Sequence, residues 1–226
     1  DWDEAIKKTA DLMERSKEKT AGIFSPFHTN ESNFLLGLLM KETRGFLPPI
    51  TGEEITYPTG FRISADRSPN FRGMNDVSGK LEEDFSSIIK TRDICGLYIL
   101  DDGVDRELDD RWKDILAKMD FVIVQGYAMT ELAKSADIVL PGLAPFEREG
   151  TITNDKGRIQ WLRPSLTAKG DSKSDWEILM LVSNALDKES EHFTGLGEVI
   201  KKMSEQFSSY SEVSLFKIGT QGKALT

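Results

Sequence analysis

Residues 147–160, EREGTITNDKGRIQ, concentrate Glu147, Glu149, Thr151, Asn154, Arg158 and Gln160 in one short stretch. Carboxylates, a hydroxyl, amides and a guanidinium at this density can grip a polar ligand or can pair with one another and with nearby backbone. Alternation of Ile152 and Asn154, then of Ile159, Trp161 and Leu162, around Asp155-Lys156-Gly157 predicts a tight hairpin closed by a positive φ at Gly157. Asp101, Asp102 and Asp105 form a second carboxylate set that could serve a metal or act as a general acid. Acids ahead of the helical pattern at 106–119 also suit its positive dipole end as N-caps, and that is the reading taken. His28 and His192 lie far apart in the chain, each reading as a polar surface or loop residue, so a local metal site is not expected. No Ser/His/Asp or Cys/His arrangement can be proposed, because neither histidine falls near a strand end of the series described next. Cys95 opens an apolar run and reads as a small packing residue.

These residues need elements to hold them. Asp1 to Glu4 read as a capping box, and Trp2, Ile6, Thr9 and Met13 follow helical spacing. TAGIFSP (20–26) reads as a buried strand closed by Pro26. TNESNFLLGLLMKETRG (29–45) reads as a helix capped by Thr29 or Asn30 and ended by Gly45. Residues 46–60, rich in Pro and Gly, predict a connector without regular structure. Beyond it FRIS (61–64), GLYIL (96–100), FVIVQ (121–125) and ADIVLP (136–141) alternate with helical patterns at 80–91, 106–119 and 129–135. Such alternation predicts an α/β fold: a Rossmann-like, mostly parallel sheet with flanking helices, a β-hairpin after the last strand and C-terminal helices at 172–189 and 195–207. The expected division is a strand-helix unit at 1–45, the connector at 46–60, a Rossmann-like domain at 61–190 and a helix and tail at 191–226. Ligands of a parallel sheet bind at the carboxyl ends of its strands, yet the loops there contain neither GxGxxG nor GxxxxGK[ST].

The composition narrows the classes further. A formal net charge of −9 without clustered Lys or Arg argues against nucleic acid. One cysteine in 226 residues excludes an internal disulfide and any iron–sulfur or zinc site built from cysteines of this segment. No apolar run approaches the ~20 residues that span a bilayer and no signal peptide precedes Asp1, so a cytoplasmic location without direct membrane insertion is expected. The chain opens without Met, as a piece of a longer one would.

FVIVQGYAMTELAKSADIVLPGLAPFEREGTITNDKGRIQWLRPSL followed by SDWEIL resembles the third domain of the molybdopterin oxidoreductase superfamily. The resemblance is strongest to the large iron–sulfur subunit of respiratory NADH:quinone oxidoreductase and to its formate dehydrogenase relatives. It runs through Val124-Gln125, Thr130-Glu131-Leu132-Ala133, Ala136 to Pro141 and Glu147 to Gln160, and SPNFRGMND resembles the family's Asn-x-x-Gly loop through Asn70 and Gly73. The resemblance implies that Asn70, Gly73, Gln125, Thr130, Glu147, Thr151 and Asn154 derive from a cofactor cleft. The family's Gly-Glu-Asn-Pro loop is here Asp101-Asp102-Gly103-Val104, the Asp that commonly follows Val-Gln is Gly126, and most of the second domain is replaced by the connector. The expectation is therefore a vestigial cleft: no catalytic residues, no metal, no cofactor in this segment and no molybdopterin, with iron–sulfur clusters held elsewhere in the parent chain. The implied function is a non-catalytic structural domain of an NADH dehydrogenase complex, its partners the other subunits of that electron-transfer complex. The alternatives are a molybdopterin-binding fragment of a formate dehydrogenase-like catalytic subunit and a free nucleotide-binding module.

Overall fold

The computed structural model describes residues 1–16, 18–40, 44–47, 52–81, 89, 92–104, 108, 110–186 and 193–225. Asp105, His192, most of the helical pattern at 80–91 and the start of that at 106–119 lie outside the described residues.

Five strands form one parallel sheet: β1 (Thr20–Phe24), β2 (Arg44–Phe46), β5 (Gly96–Leu100), β6 (Phe121–Gly126) and β7 (Ile138–Pro141), in the order β2-β1-β5-β6-β7. Every residue of β1, β5 and β6 is buried, as strands covered on both faces require. Phe24, Tyr98, Leu100 and Ile123 face a cluster supplied by α1 (Trp2–Arg15), α2 (Asn30–Leu39), α3 (Phe71–Val77), α6 (Asp175–Ala185) and α7 (Leu196–Gln206). Ile23, Leu97, Ile99, Val122 and Val124 face the opposite way, against Ile115 of α4 (Asp110–Leu116) and Leu132 and Ala133 of α5 (Glu131–Lys134). The capping expected at the first helix is present, with the Asp1 side chain accepting from Glu4 N at 2.8 Å.

TAGIF is the buried strand expected, and β1 lies inside the sheet, hydrogen-bonded to β2 on one side and β5 on the other. Three sequence expectations change. FRIS is not in that sheet, because the turn at Pro58-Thr59-Gly60 folds it back; β4 (Arg62–Ile63) pairs antiparallel with β3 (Ile55–Thr56), and Phe61 is largely exposed. The stretch at 46–60 thus carries local structure. The second helix stops at Leu39, and Arg44-Gly45-Phe46 forms β2 instead of extending it.

The hairpin is β8 (Gly150–Thr153) against β9 (Arg158–Leu162), with Thr151 opposite Trp161 and Thr153 opposite Ile159. Gly157 has φ +71°, as the turn requires, and the Asn154 Oδ1 accepts from Lys156 N and Arg158 N at 3.1 and 2.9 Å. The tail after α7 adds a 3-10 turn (Ser208–Tyr210), α8 (Leu215–Ile218) and β10 (Lys223–Ala224), which pairs with β9.

Candidate functional site

Counted within the parallel sheet, the strand order is 2-1-3-4-5, so the chain reverses its direction of winding between β1 and β5. In open α/β sheets a ligand crevice lies at that reversal, outside the carboxyl ends of the two strands. Here the crevice is closed from within. Beyond β1, the Nε2 of His28 lies 2.9 Å from the carbonyl oxygen of Asp101 beyond β5. A carbonyl only accepts, so Nε2 carries the proton. His28 is fully buried, not a surface residue, and it stands at a strand end because β1 belongs to the sheet.

Asp175, in the first turn of α6, lies behind His28. Its Oδ2 is 3.4 Å from His28 Nδ1 and 2.8 Å from Arg148 Nε, but neither nitrogen is aligned with it for a hydrogen bond. Its Oδ1 accepts from Gln125 Nε2 at 2.9 Å, and Gln125 Oε1 accepts from the Tyr98 hydroxyl at 2.6 Å. Burial pushes the Asp175 carboxyl up, but the Arg148 guanidinium and then His28 outweigh it and hold the group well below the usual carboxylate range. Burial, with Asp175 adding to it, pushes the Tyr98 hydroxyl up. Arg148 also donates from Nη1 to Phe27 O and from Nη2 to Leu143 O, both at 2.9 Å. Thr130 caps α5 by accepting from Ala133 N, and donates to Asp101 Oδ2 at 2.5 Å. Burial raises the Asp101 carboxyl, and this hydrogen bond offsets part of the rise.

A second seam runs along the free edge of the hairpin. The outward N–H groups of β8 would be left unpaired in a three-stranded sheet ending at this edge, an arrangement costly in the interior. Side chains take the place of a further strand: Thr151 N donates to Glu31 Oε2 at 2.8 Å and Thr153 N to Asn70 Oδ1 at 2.7 Å. The Thr151 hydroxyl donates to Glu31 Oε1 at 2.6 Å, while Asn30 Nδ2 donates to both Thr151 Oγ1 and Thr153 Oγ1 at 3.0 Å. Burial pushes the Glu31 carboxyl up, and the two Thr151 donors offset part of the rise. Asn70 Nδ2 donates to His28 O at 2.8 Å, joining the two seams. Gly73 is dictated by this crowding, since a Cβ there would lie 2.0 Å from Asn30 Oδ1 and 2.1 Å from Asn70 Oδ1.

The structure therefore brings Asn70, Gly73 and Thr151 together in the hairpin seam and Gln125 and Thr130 at the strand ends. Glu147 and Asn154 fall at turns, Glu147 accepting from Ala144 N at 3.1 Å. Arg158 does not pair with the hairpin acids; it donates to the carbonyls of Gln221 and Gly222, because β10 brings them alongside. Asp101 and Asp102 are buried and accept from Gly103 N and Val104 N in local turns; the start of the helix they were expected to cap lies outside the described residues. His28, Glu31, Arg148 and Asp175 escaped the sequence reading. Among the described residues no cluster of His, Cys, Asp or Glu suits a metal ion, and no helix is long and apolar enough to cross a membrane.

The molybdopterin cofactor implied by the sequence resemblance can be tested against this donor set. Asn70, Gln125, Thr130 and Thr151 spend their donors on other parts of the chain, and the orphaned atoms His28 Nδ1, Arg148 Nε and Asp175 Oδ2 face one another. As direct ligands of the cofactor these side chains do not fit.

Residues 65–185 match the molybdopterin oxidoreductase family. The chain is 33% identical over 108 residues to the F420-dependent formate dehydrogenase 2 subunit alpha of Methanococcus maripaludis, covering 47% of this chain and 16% of that protein. A protein of Staphylococcus haemolyticus named as a formate dehydrogenase is 32% identical over 143 residues, covering 62% of this chain and 14% of its own. One of Bacillus subtilis, named likewise, is 42% identical over 73 residues, 32% of this chain and 7% of its own. Among solved structures, acetylene hydratase from Pelobacter acetylenicus superposes with a TM-score of 0.42 at 19% identity, over 55% of this chain and 17% of that one.

Proposed function

The chain belongs to the molybdopterin oxidoreductase family, and from that premise we propose that it is a framework domain of a formate dehydrogenase-like catalytic subunit. The observation that carries this reading is the set of matches to proteins bearing formate dehydrogenase names, at 32–42% identity over 73 to 143 residues. Those names favour the formate dehydrogenase-like reading over the respiratory NADH dehydrogenase one. In this role the domain presents the loops at 101–104, 126–130 and 142–148 as one wall of a cleft, while its buried polar side chains hold that wall from behind and touch no cofactor atom. The chain spans 16% or less of each of these relatives, so formate oxidation, metal and electron acceptor belong to the parent protein in this proposal.

The test uses the full-length protein purified from its native host. Stoichiometric molybdenum or tungsten, a fluorescent pterin released by acid oxidation and formate-dependent dye reduction are expected. A folded full-length protein without metal or pterin would overturn the reading, and dye reduction by NADH but not formate would restore the respiratory one.

A further inference from the structure

The buried charges at the strand ends touch more of the molecule than any one of them needs for its own neutralisation. Arg148 holds the carbonyl of Phe27 after β1 and that of Leu143 after β7. His28 holds the carbonyl of Asp101 after β5. Gln125, the penultimate residue of β6, holds both the carboxylate and the carbonyl of Asp175, at 2.9 and 3.2 Å. Asp175 is the one group that Arg148, His28 and Gln125 all meet. We propose that His28, Gln125, Arg148 and Asp175 form a latch that couples the end of β6 to the loops after β1, β5 and β7, so that the carboxyl face of the sheet holds or loosens as one unit. The four are positioning residues: they act on the outer face only through the backbone carbonyls and helix terminus they grip.

A latch differs from a set of separate anchors in one respect. Removing a member must loosen loops that it does not touch, because the shared carboxylate is left with fewer counter-charges and shifts away from the remaining partners. The latch involves no cofactor and is independent of the proposed function.

Hydrogen–deuterium exchange of the 226-residue chain, read by mass spectrometry, separates the two cases. In Arg148→Met, exchange at 102–104, which Arg148 does not contact, should accelerate roughly tenfold together with 27–30 and 142–146, while the β5 and β6 amides keep their protection. Acceleration confined to 27–30 and 142–146 would overturn the latch, and so would uniform acceleration through 96–100 and 121–125. Should Arg148→Met not fold, His28→Gln supplies the same test from the other end: 142–146, which His28 does not touch, should accelerate, and unchanged exchange there would overturn the proposal.

Discussion

Gly73 and Asp175 owe their identities to opposite constraints, one of space and one of charge. At Gly73 the missing Cβ is the space into which the Asn30 and Asn70 carboxamide oxygens point, and both amides are anchored to the hairpin. Gly73→Ala should therefore destabilise by ~1–3 kcal/mol as an overpacked site with little room to relax, read from the urea midpoint. Asp175 is ionised in the folded chain well below its usual range. A carboxyl with a depressed folded pKa contributes stability that is complete above its unfolded value, near ~3.9, and is lost as pH falls through the folded one. Urea midpoints measured downward from pH 5 should fall with acid, and Asp175→Asn should flatten that limb; parallel curves for the two proteins would contradict the assignment. Glu31 works in the other sense. Its raised folded pKa makes it a cost at neutral pH that is relieved as pH drops from the folded value toward about 4.3, so Glu31→Gln should steepen the loss of stability on acidification by removing that relief.

At the scale of elements, the hairpin shows what was legible and what was not. Its turn is written in adjacent residues: alternation on both sides, an Asn whose side chain closes the loop and a Gly whose φ is positive. Nothing adjacent marks the edge of β8, whose partners Glu31 and Asn70 lie 120 and 83 residues away. Glu31 looks from the sequence like any acid in a first helical turn, and only its burial reveals the role. Thr151 shares this fate. Its hydroxyl and amide both serve the Glu31 carboxylate, so Thr151→Val should cost roughly 1.5–3 kcal/mol, the range of a hydrogen bond to a charged group. Chemical denaturation monitored by tryptophan fluorescence measures it; a loss under about 0.5 kcal/mol would mean that Glu31 finds another donor.

Across the whole molecule, the α/β class and the parallel sheet follow from the alternation of apolar runs with helical patterns, and strands are found at GLYIL, at FVIVQ and, as Ile138–Pro141, within ADIVLP, where those runs predict them. The winding order does not follow, because FRIS and TAGIF both read as short strands; the turn at 58–60 folds the first away and the fully buried β1 takes a place inside the sheet, between β2 and β5. With β1 misplaced, His28 loses its strand end and the latch its first member. Of the residues the family resemblance singles out, Asn70, Gly73 and Thr151 meet in the hairpin seam while Gln125 and Thr130 lie at the strand ends, and the side-chain hydrogen bonds of Asn70, Gln125, Thr130 and Thr151 run inward. In the proposed function this constellation is thus framework and not ligand. Asn70→Ala separates the two, since it leaves the buried Thr153 N–H unpaired and frees the backbone of His28. The most direct measurement pairs the urea midpoint of the 226-residue chain with the acid-released pterin content of the full-length protein carrying the same substitution. A loss of ~1–3 kcal/mol is expected, with pterin per folded molecule unchanged. Full stability with the pterin lost would contradict it.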